Sequence, residues 1–284
     1  MQRKLTIIVM ATALAAAVAV ASPPAGQRGV PPDSTPRALD ALIEEADALR
    51  SVDAGRYLTI VEQLSARKSG ATPLQREQIR YLEAYAAGVY RDDVAGGIRI
   101  ATQLAKESKN PTVRYRAMGL VATYSSFKRD FRNGLRYLNA ALEIRKSVAD
   151  RDIRNEGLGA AAVLYNQLGQ HDIGLRYAHE LLASQPNPRA ECGGKYVRVE
   201  ALAALGKLGG DLKQFDDIVE TCSKINEVII VGVARVAQAK AIAASGDLPG
   251  AISTLESAFP AIQATRYQLL IADASAVLAD LKLQ

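Results

Sequence analysis

The feature that most constrains the fold is a motif that recurs at intervals of about 38 residues, or twice that, along most of the chain. In each of four copies, a turn is followed by a small residue and then directly by an aliphatic one. The small residues are Gly97, Gly134, Gly174 and Ala251, and the aliphatic residues after them are Ile98, Leu135, Leu175 and Ile252. Neighbouring apolar residues recur every three or four positions, as in amphipathic helices. Because one helix pair cannot bury its apolar face alone, the repetition predicts a stack of helix pairs.

The composition favours the same class. Apolar residues make up 49% of the chain and charged residues 23%, which excludes a disordered chain. Aromatic residues make up only 5% and tryptophan is absent, so residues that build sheets are sparse. Two cysteines are too few for a disulfide-rich scaffold. We therefore predict an all-α fold, a right-handed α-solenoid of antiparallel helix pairs, with an open groove instead of a deep pocket.

The units resemble tetratricopeptide repeats, in which a Gly-Asp-type turn joins two antiparallel helices and a small residue lies early in the second. Leu168-Gly169 and Ser245-Gly246-Asp247 match the turn, and Pro186 stands where that family ends a repeat. The units are longer than the family's ~34 residues, and none has its tryptophan. The resemblance implies a repeat domain over 37–284, with a capping hairpin at 37–70, about five helix pairs over 73–262 and a last helix at 265–284.

The N-terminus predicts export. Arg3 and Lys4 precede an uncharged run that ends in Ala19-Val20-Ala21, so residues 1–21 match a signal peptide cleaved after Ala21. The alternative is an uncleaved membrane anchor. Residues 22–36 are a proline-rich linker. Cleavage lowers the formal net charge from +5 to +3, and acids alternate with bases, so we expect a periplasmic protein with no nucleic-acid partner.

The two cysteines lie at comparable distances from the turn at 209–210, Cys192 before it and Cys222 after it. In an antiparallel helix pair such residues are neighbours, and in an oxidising compartment they are expected to form a disulfide. Closing this loop stabilises the fold by ~3–4 kcal/mol. The alternative is two free, buried thiols.

No catalytic or metal-binding constellation is evident. The two histidines, His171 and His179, have no accompanying cysteine or acidic motif, and there is no nucleophile elbow or phosphate-binding loop. We expect no enzyme activity, no metal and no cofactor, with an unrecognised catalytic site as the remaining alternative.

A narrower resemblance rests on whole phrases of sequence. These are 134–142, 164–183, 187–192, 197–206 and 264–283. They are similar to the periplasmic repeat region of membrane-anchored GGDEF diguanylate cyclases of the Xanthomonas group. The resemblance implies the sensory part of a cyclic-di-GMP signalling protein, whose membrane helix and GGDEF domain are absent from this chain, so no catalytic residue carries over. The alternative is a stand-alone periplasmic adaptor that binds an envelope protein or peptide.

Aligning the units on their turns places ten side chains on the first helices, which line the concave face of such a stack. They are Tyr90, Arg116, Thr123, Ser126, Phe127, Asn166, Gln167, Glu200, Lys207 and Lys240. Asn166 and Gln167 suit a peptide backbone, and the three cations suit a ligand carboxylate. The alternative is that each is a solvated or inter-repeat polar residue.

Overall fold

The computed structural model describes residues 36–208 and 212–284, and these form a single unit. The predicted signal peptide at 1–21, the linker before residue 36 and the turn at 209–211 lie outside the described residues. Within them there are thirteen α-helices and no strand. No helix among them is both long and apolar enough to cross a membrane.

The helices follow one another closely along the chain. They are α1 (Pro36–Leu49), α2 (Ala54–Arg67), α3 (Pro73–Tyr90), α4 (Val94–Glu107), α5 (Pro111–Phe127), α6 (Phe131–Ile144), α7 (Arg151–Gln167), α8 (His171–Ala183), α9 (Pro188–Ala204), α10 (Lys213–Ser223), α11 (Val228–Ala244), α12 (Leu248–Ala264) and α13 (Gln268–Leu283). Odd-numbered helices are the first of each pair, and even-numbered helices are the second.

Local sequence explains where the helices start. Asp53, Asp93, Asp130 and Asp247 cap second helices, each accepting a hydrogen bond from a backbone N–H of the first turn. Such a cap stabilises a helix by ~1 kcal/mol. Three of the first helices, α3, α5 and α9, instead begin with proline behind a capping Thr or Asn. Capping residues therefore lie in the turns that the sequence predicts between helices.

The small residues of the repeat allow the close approach of paired helices. Gly97, Gly134, Gly174 and Ala251 are all buried. A Cβ atom at Gly174 would lie 3.0 Å from the carbonyl oxygen of Ala162 and 2.0 Å from Oδ1 of Asn166. Each first helix also packs against the first helix of the next pair, from α1 to α13. The all-α solenoid of antiparallel helix pairs predicted from sequence is confirmed.

The N-terminal helices also contact the end of the solenoid. Helix α3 touches α13, and Ile229 of α11 and Tyr267 before α13 pack into the core formed by α1 to α6. A uniformly open groove is therefore not what forms. In a repeat stack, the small rotations between successive helix pairs add up and curve the stack. This curvature brings α11 and α13 back towards α1 and α3.

Candidate functional site

The first helices of the N-terminal half carry a network of four charged side chains. Arg116 of α5 contacts Asp47 of α1 (Nη2–Oδ1, 2.6 Å) and Glu156 of α7 (Nε–Oε2, 3.1 Å). Arg50 contacts the same two carboxylates, at 3.0 Å from Asp47 and 2.6 Å from Glu156. The Arg116 guanidinium also lies 4.2 Å from the ring centroid of Tyr81. Two arginines and two carboxylates therefore neutralise each other here.

The arginines fix the charge state of both carboxylates. Burial by itself raises the pKa of Asp47, but the guanidinium groups of Arg50 and Arg116 outweigh burial and lower the pKa to about 2. For Glu156, burial again raises the pKa, and Arg116 and Arg50 again bring it below its ordinary value. Both carboxylates stay ionised at neutral pH, and the charge of Arg116 is fully compensated.

A second cluster joins the first hairpin to the C-terminal repeats. Arg189 of α9 forms an ion pair with Glu227, the N-cap residue of α11, whose side chain is 2% exposed. Arg189 also donates to the carbonyl oxygens of Asp47 (3.1 Å) and Ala48 (2.9 Å) and to the hydroxyl of Ser51 (2.9 Å). Ser51 in turn donates to Glu227 (2.9 Å). The end of α1 therefore occupies part of the face that the sequence predicts to be an open groove.

A cavity of about 700 Å³ lies on the first-helix side of the C-terminal repeats. Its walls come from three successive first helices, α9, α11 and α13, and from the start of α10. Most of the lining is apolar and includes Leu208, Phe215, Val236 and Ala237. The polar lining residues are Tyr196, Glu200, Lys240, Ser245 and Asp273. The cavity is partly open to solvent and combines apolar walls with a few polar side chains, which are the two kinds of surface that ligand-binding sites use.

The polar side chains of the cavity are held in position by each other. Glu200 accepts hydrogen bonds from the hydroxyl of Tyr196 (3.1 Å) and from Nδ2 of Asn166 (2.9 Å). Burial first, and then the charge of Glu200, hold the pKa of Tyr196 well above its usual value, so the phenol remains a donor. On the opposite wall, Lys240 and Asp273 form an ion pair at 3.3 Å.

A disulfide joins the two helices that frame one side of the cavity. Cys192 of α9 and Cys222 of α10 are bonded, with their Cα atoms 5.2 Å apart, and both are fully buried. The disulfide predicted from sequence is therefore present. It ties α10, which contributes Phe215 to the lining, to α9, which contributes Tyr196 and Glu200.

The structure brings Glu200 and Lys240 together at this cavity and places the other predicted groove residues elsewhere. Tyr90 donates its hydroxyl to the carbonyl of Arg50 (2.6 Å), and Phe127 packs on Tyr124 with ring centroids 5.9 Å apart. Thr123 and Ser126 donate to carbonyls of their own helix, and Ser126 is buried.

Asn166, Gln167 and Lys207 are the remaining residues that the sequence predicts to line the groove. Asn166 is buried behind the cavity wall, where Nδ2 donates to the carbonyl of Val197 (3.0 Å) as well as to Glu200. Gln167 is exposed at the end of α7. Lys207 lies 3.5 Å from Asp172. Each of these three cations faces a carboxylate of the chain, Arg116 in the largely buried network and Lys207 and Lys240 in pairs that are half exposed or more, and their contact with a ligand stays a prediction.

Several cavity residues were missed from sequence. Tyr196 lies one helical turn before Glu200, so the spacing of four residues was a usable signal for it. Leu208, Leu212 and Phe215 resemble ordinary core residues, and no pattern distinguishes them. Asp273 of α13 is separated along the chain from its partner Lys240 of α11 by the whole of α12, so no local spacing indicates this pair.

No group of three or more His, Cys, Asp or Glu side chains within 36–208 and 212–284 is arranged to hold a metal ion. No family model matches the chain, and no curated protein sequence matches it. Among solved structures, the chain is similar to a Rap protein in complex with competence and sporulation factor. The TM-score is 0.66 at 12% sequence identity, over 86% of this chain and 71% of that one. The likeness identifies the fold as a tetratricopeptide-like helical repeat.

Proposed function

We propose that this chain is a non-catalytic helical-repeat module that binds a peptide segment or a partner protein in the cavity between α9, α10, α11 and α13. The observation that carries the proposal is the cavity itself, a space of about 700 Å³ with apolar walls and polar side chains at its edge. Apolar walls bury the side chains of a ligand, and a few fixed polar groups orient it.

The solved neighbour supports a binding role. The Rap protein was crystallised with competence and sporulation factor bound. At 12% identity no residue of that protein's site is transferred to this chain. What supports the proposal is that a solenoid of this kind, with first helices facing a common side, is a scaffold suited to binding.

We further propose that the module acts in the periplasm as the sensory part of a cyclic-di-GMP signalling protein. Three features support this: the export signal at 1–21 with its linker at 22–36, the resemblance to the repeat region of GGDEF cyclases, and the disulfide, which suits an oxidising compartment. The coding sequence downstream discriminates between the alternatives. A membrane helix and a GGDEF domain in frame favour the sensor, and an immediate stop codon favours the stand-alone adaptor.

The experiment that tests the binding site blocks the cavity. Ala203 and Ala244 line it and are exposed, so Ala203→Trp and Ala244→Trp fill it without replacing a buried residue. Ala276 of α13 is exposed and outside the lining, and Ala276→Trp is the matched control. In pull-downs from envelope extract, we expect both cavity variants to lose a partner that the wild-type chain and the control retain.

Folding of the three variants is compared by helical circular dichroism. Because the chain contains no tryptophan, the introduced ring also reports its own environment by fluorescence. Retention of the partner by both folded cavity variants would move the binding site away from this cavity.

A further inference from the structure

The charges that line the cavity do not cancel. Lys240 and Asp273 are paired with each other at 3.3 Å, and each is about half exposed. The remaining charged residue of the lining is Glu200. The described lining residues therefore supply two carboxylates and one ammonium group, and the ammonium group is already paired with Asp273.

Among the described residues, the side chains that donate to Glu200 are neutral. The Tyr196 hydroxyl reaches one carboxylate oxygen and the Asn166 amide reaches the other. Among the residues that the structure describes, no lysine, arginine or histidine lies within ion-pair distance of Glu200. These hydrogen bonds orient the carboxylate but leave its negative charge uncompensated at the wall of a largely apolar cavity.

The surrounding lining suits the stem of a basic side chain. Val236, Ala237 and Leu208 provide apolar surface, and Ala203 and Ala244 leave room where larger side chains would fill the space. Lysine and arginine combine a long aliphatic stem with a cationic end, so they use both kinds of surface at once. A ligand carboxylate, by contrast, would meet two carboxylates and a lysine that is already paired.

From this charge complementarity, and resting on the proposed function above, we propose that the ligand is an extended peptide segment carrying a lysine or arginine flanked by aliphatic residues, and that Glu200 binds the cationic group. Tyr196 and Asn166 are positioning residues, because they act on the ligand through Glu200. The inference reverses the sign of charge that the sequence predicts for the ligand.

The test first selects peptides that bind the cavity. It then removes the positive charge of the peptide and the negative charge of Glu200 separately. A random heptapeptide library is panned on the purified chain, and binders are retained if Ala244→Trp abolishes their binding and Ala276→Trp does not. The retained peptides are expected to be enriched in lysine or arginine next to aliphatic residues. The best one is synthesised with norleucine in place of its basic residue, which keeps the stem and removes the charge.

Both peptides are then titrated against the wild-type chain, Glu200→Gln and the control Glu143→Gln, which changes an exposed glutamate on α6. We expect the norleucine change to weaken binding about tenfold on the wild type and on Glu143→Gln, and to have little effect on Glu200→Gln. A merely structural role for Glu200 would weaken both peptides equally and leave the tenfold difference between them.

A wrong ligand charge and a wrong binding site give different results in this experiment. If the retained peptides depend on the cavity but lack basic residues, or if the norleucine effect persists on Glu200→Gln, the cationic ligand is wrong and the binding cavity stands. If panning yields no peptide whose binding depends on the cavity, both the cationic ligand and the proposed peptide-binding function are contradicted.

Discussion

The first-helix face of the solenoid differs between the N-terminal and the C-terminal repeats. Along α1 to α7, Arg50 and Arg116 pair with Asp47 and Glu156, and Tyr81 packs against Arg116, so the inward-facing side chains satisfy each other. Along α9 to α13, the corresponding face carries Ala203, Ala237 and other small residues, and a cavity remains. One repeat architecture thus gives either a filled interior or an open cavity, depending on the size of the side chains that face inward.

The largest expected effect concerns the disulfide that frames the cavity. Replacing Cys192 and Cys222 by serine should lower the free energy of unfolding by ~3 kcal/mol, because the 30-residue loop between them is no longer closed in the unfolded chain. Urea unfolding of the wild type with and without reductant measures the effect. The double serine variant is the control, since reductant should leave it unchanged. An identical wild-type midpoint in reductant would show that the bond contributes nothing to stability.

The second prediction concerns the contact between the two regions. Arg189→Met removes the cation that faces Glu227, whose side chain is almost fully buried, so we expect a loss of about 2–3 kcal/mol. Lys282→Met removes a half-exposed pair with Glu256 and should change stability by less than about 0.5 kcal/mol. Chemical denaturation of both variants gives the comparison. Equal effects would mean that the contact between the first hairpin and α9 is no stronger than a surface ion pair.

The smallest effect is a pH dependence of the N-terminal network. The pKa of Asp47 is lowered in the folded chain to about 2, so the unfolded state binds more protons as the pH falls, and stability is lost on acidification. Because about a third of this side chain is exposed, we expect a loss of ~1 kcal/mol between about pH 5 and pH 2.5. Asp47→Asn should lack this part of the acid sensitivity. The same acid slope in both proteins would exclude Asp47 as its source.

The local part of the fold could be predicted from sequence because short segments determine it. Gly169 and Gly246 occupy the turns with positive φ angles of 73° and 94°, and Asp247 caps the helix that follows. The register of the repeats likewise placed Glu200 and Lys240 on the first-helix face, where the cavity forms.

The long-range part could not be predicted. Arg189 reaches the carbonyl of Asp47 across 142 residues, and that contact depends on small rotations summed over several helix pairs. The pairing of Arg116 with Asp47 also joins residues that are far apart in sequence. The sequence alone therefore does not show that Arg116 has partners within the chain. The sign of the free charge in the cavity therefore emerges only from the assembled structure.

We propose that ligand binds the C-terminal cavity and not the N-terminal face, which is filled by paired side chains. Hydrogen–deuterium exchange of the chain, with and without the tightest-binding selected peptide, distinguishes the two locations. We predict slower exchange in α9 and α11, around residues 196–206 and 233–245, with α1 and α5 unchanged. Slower exchange confined to α1 and α5 would place the ligand on the N-terminal face instead.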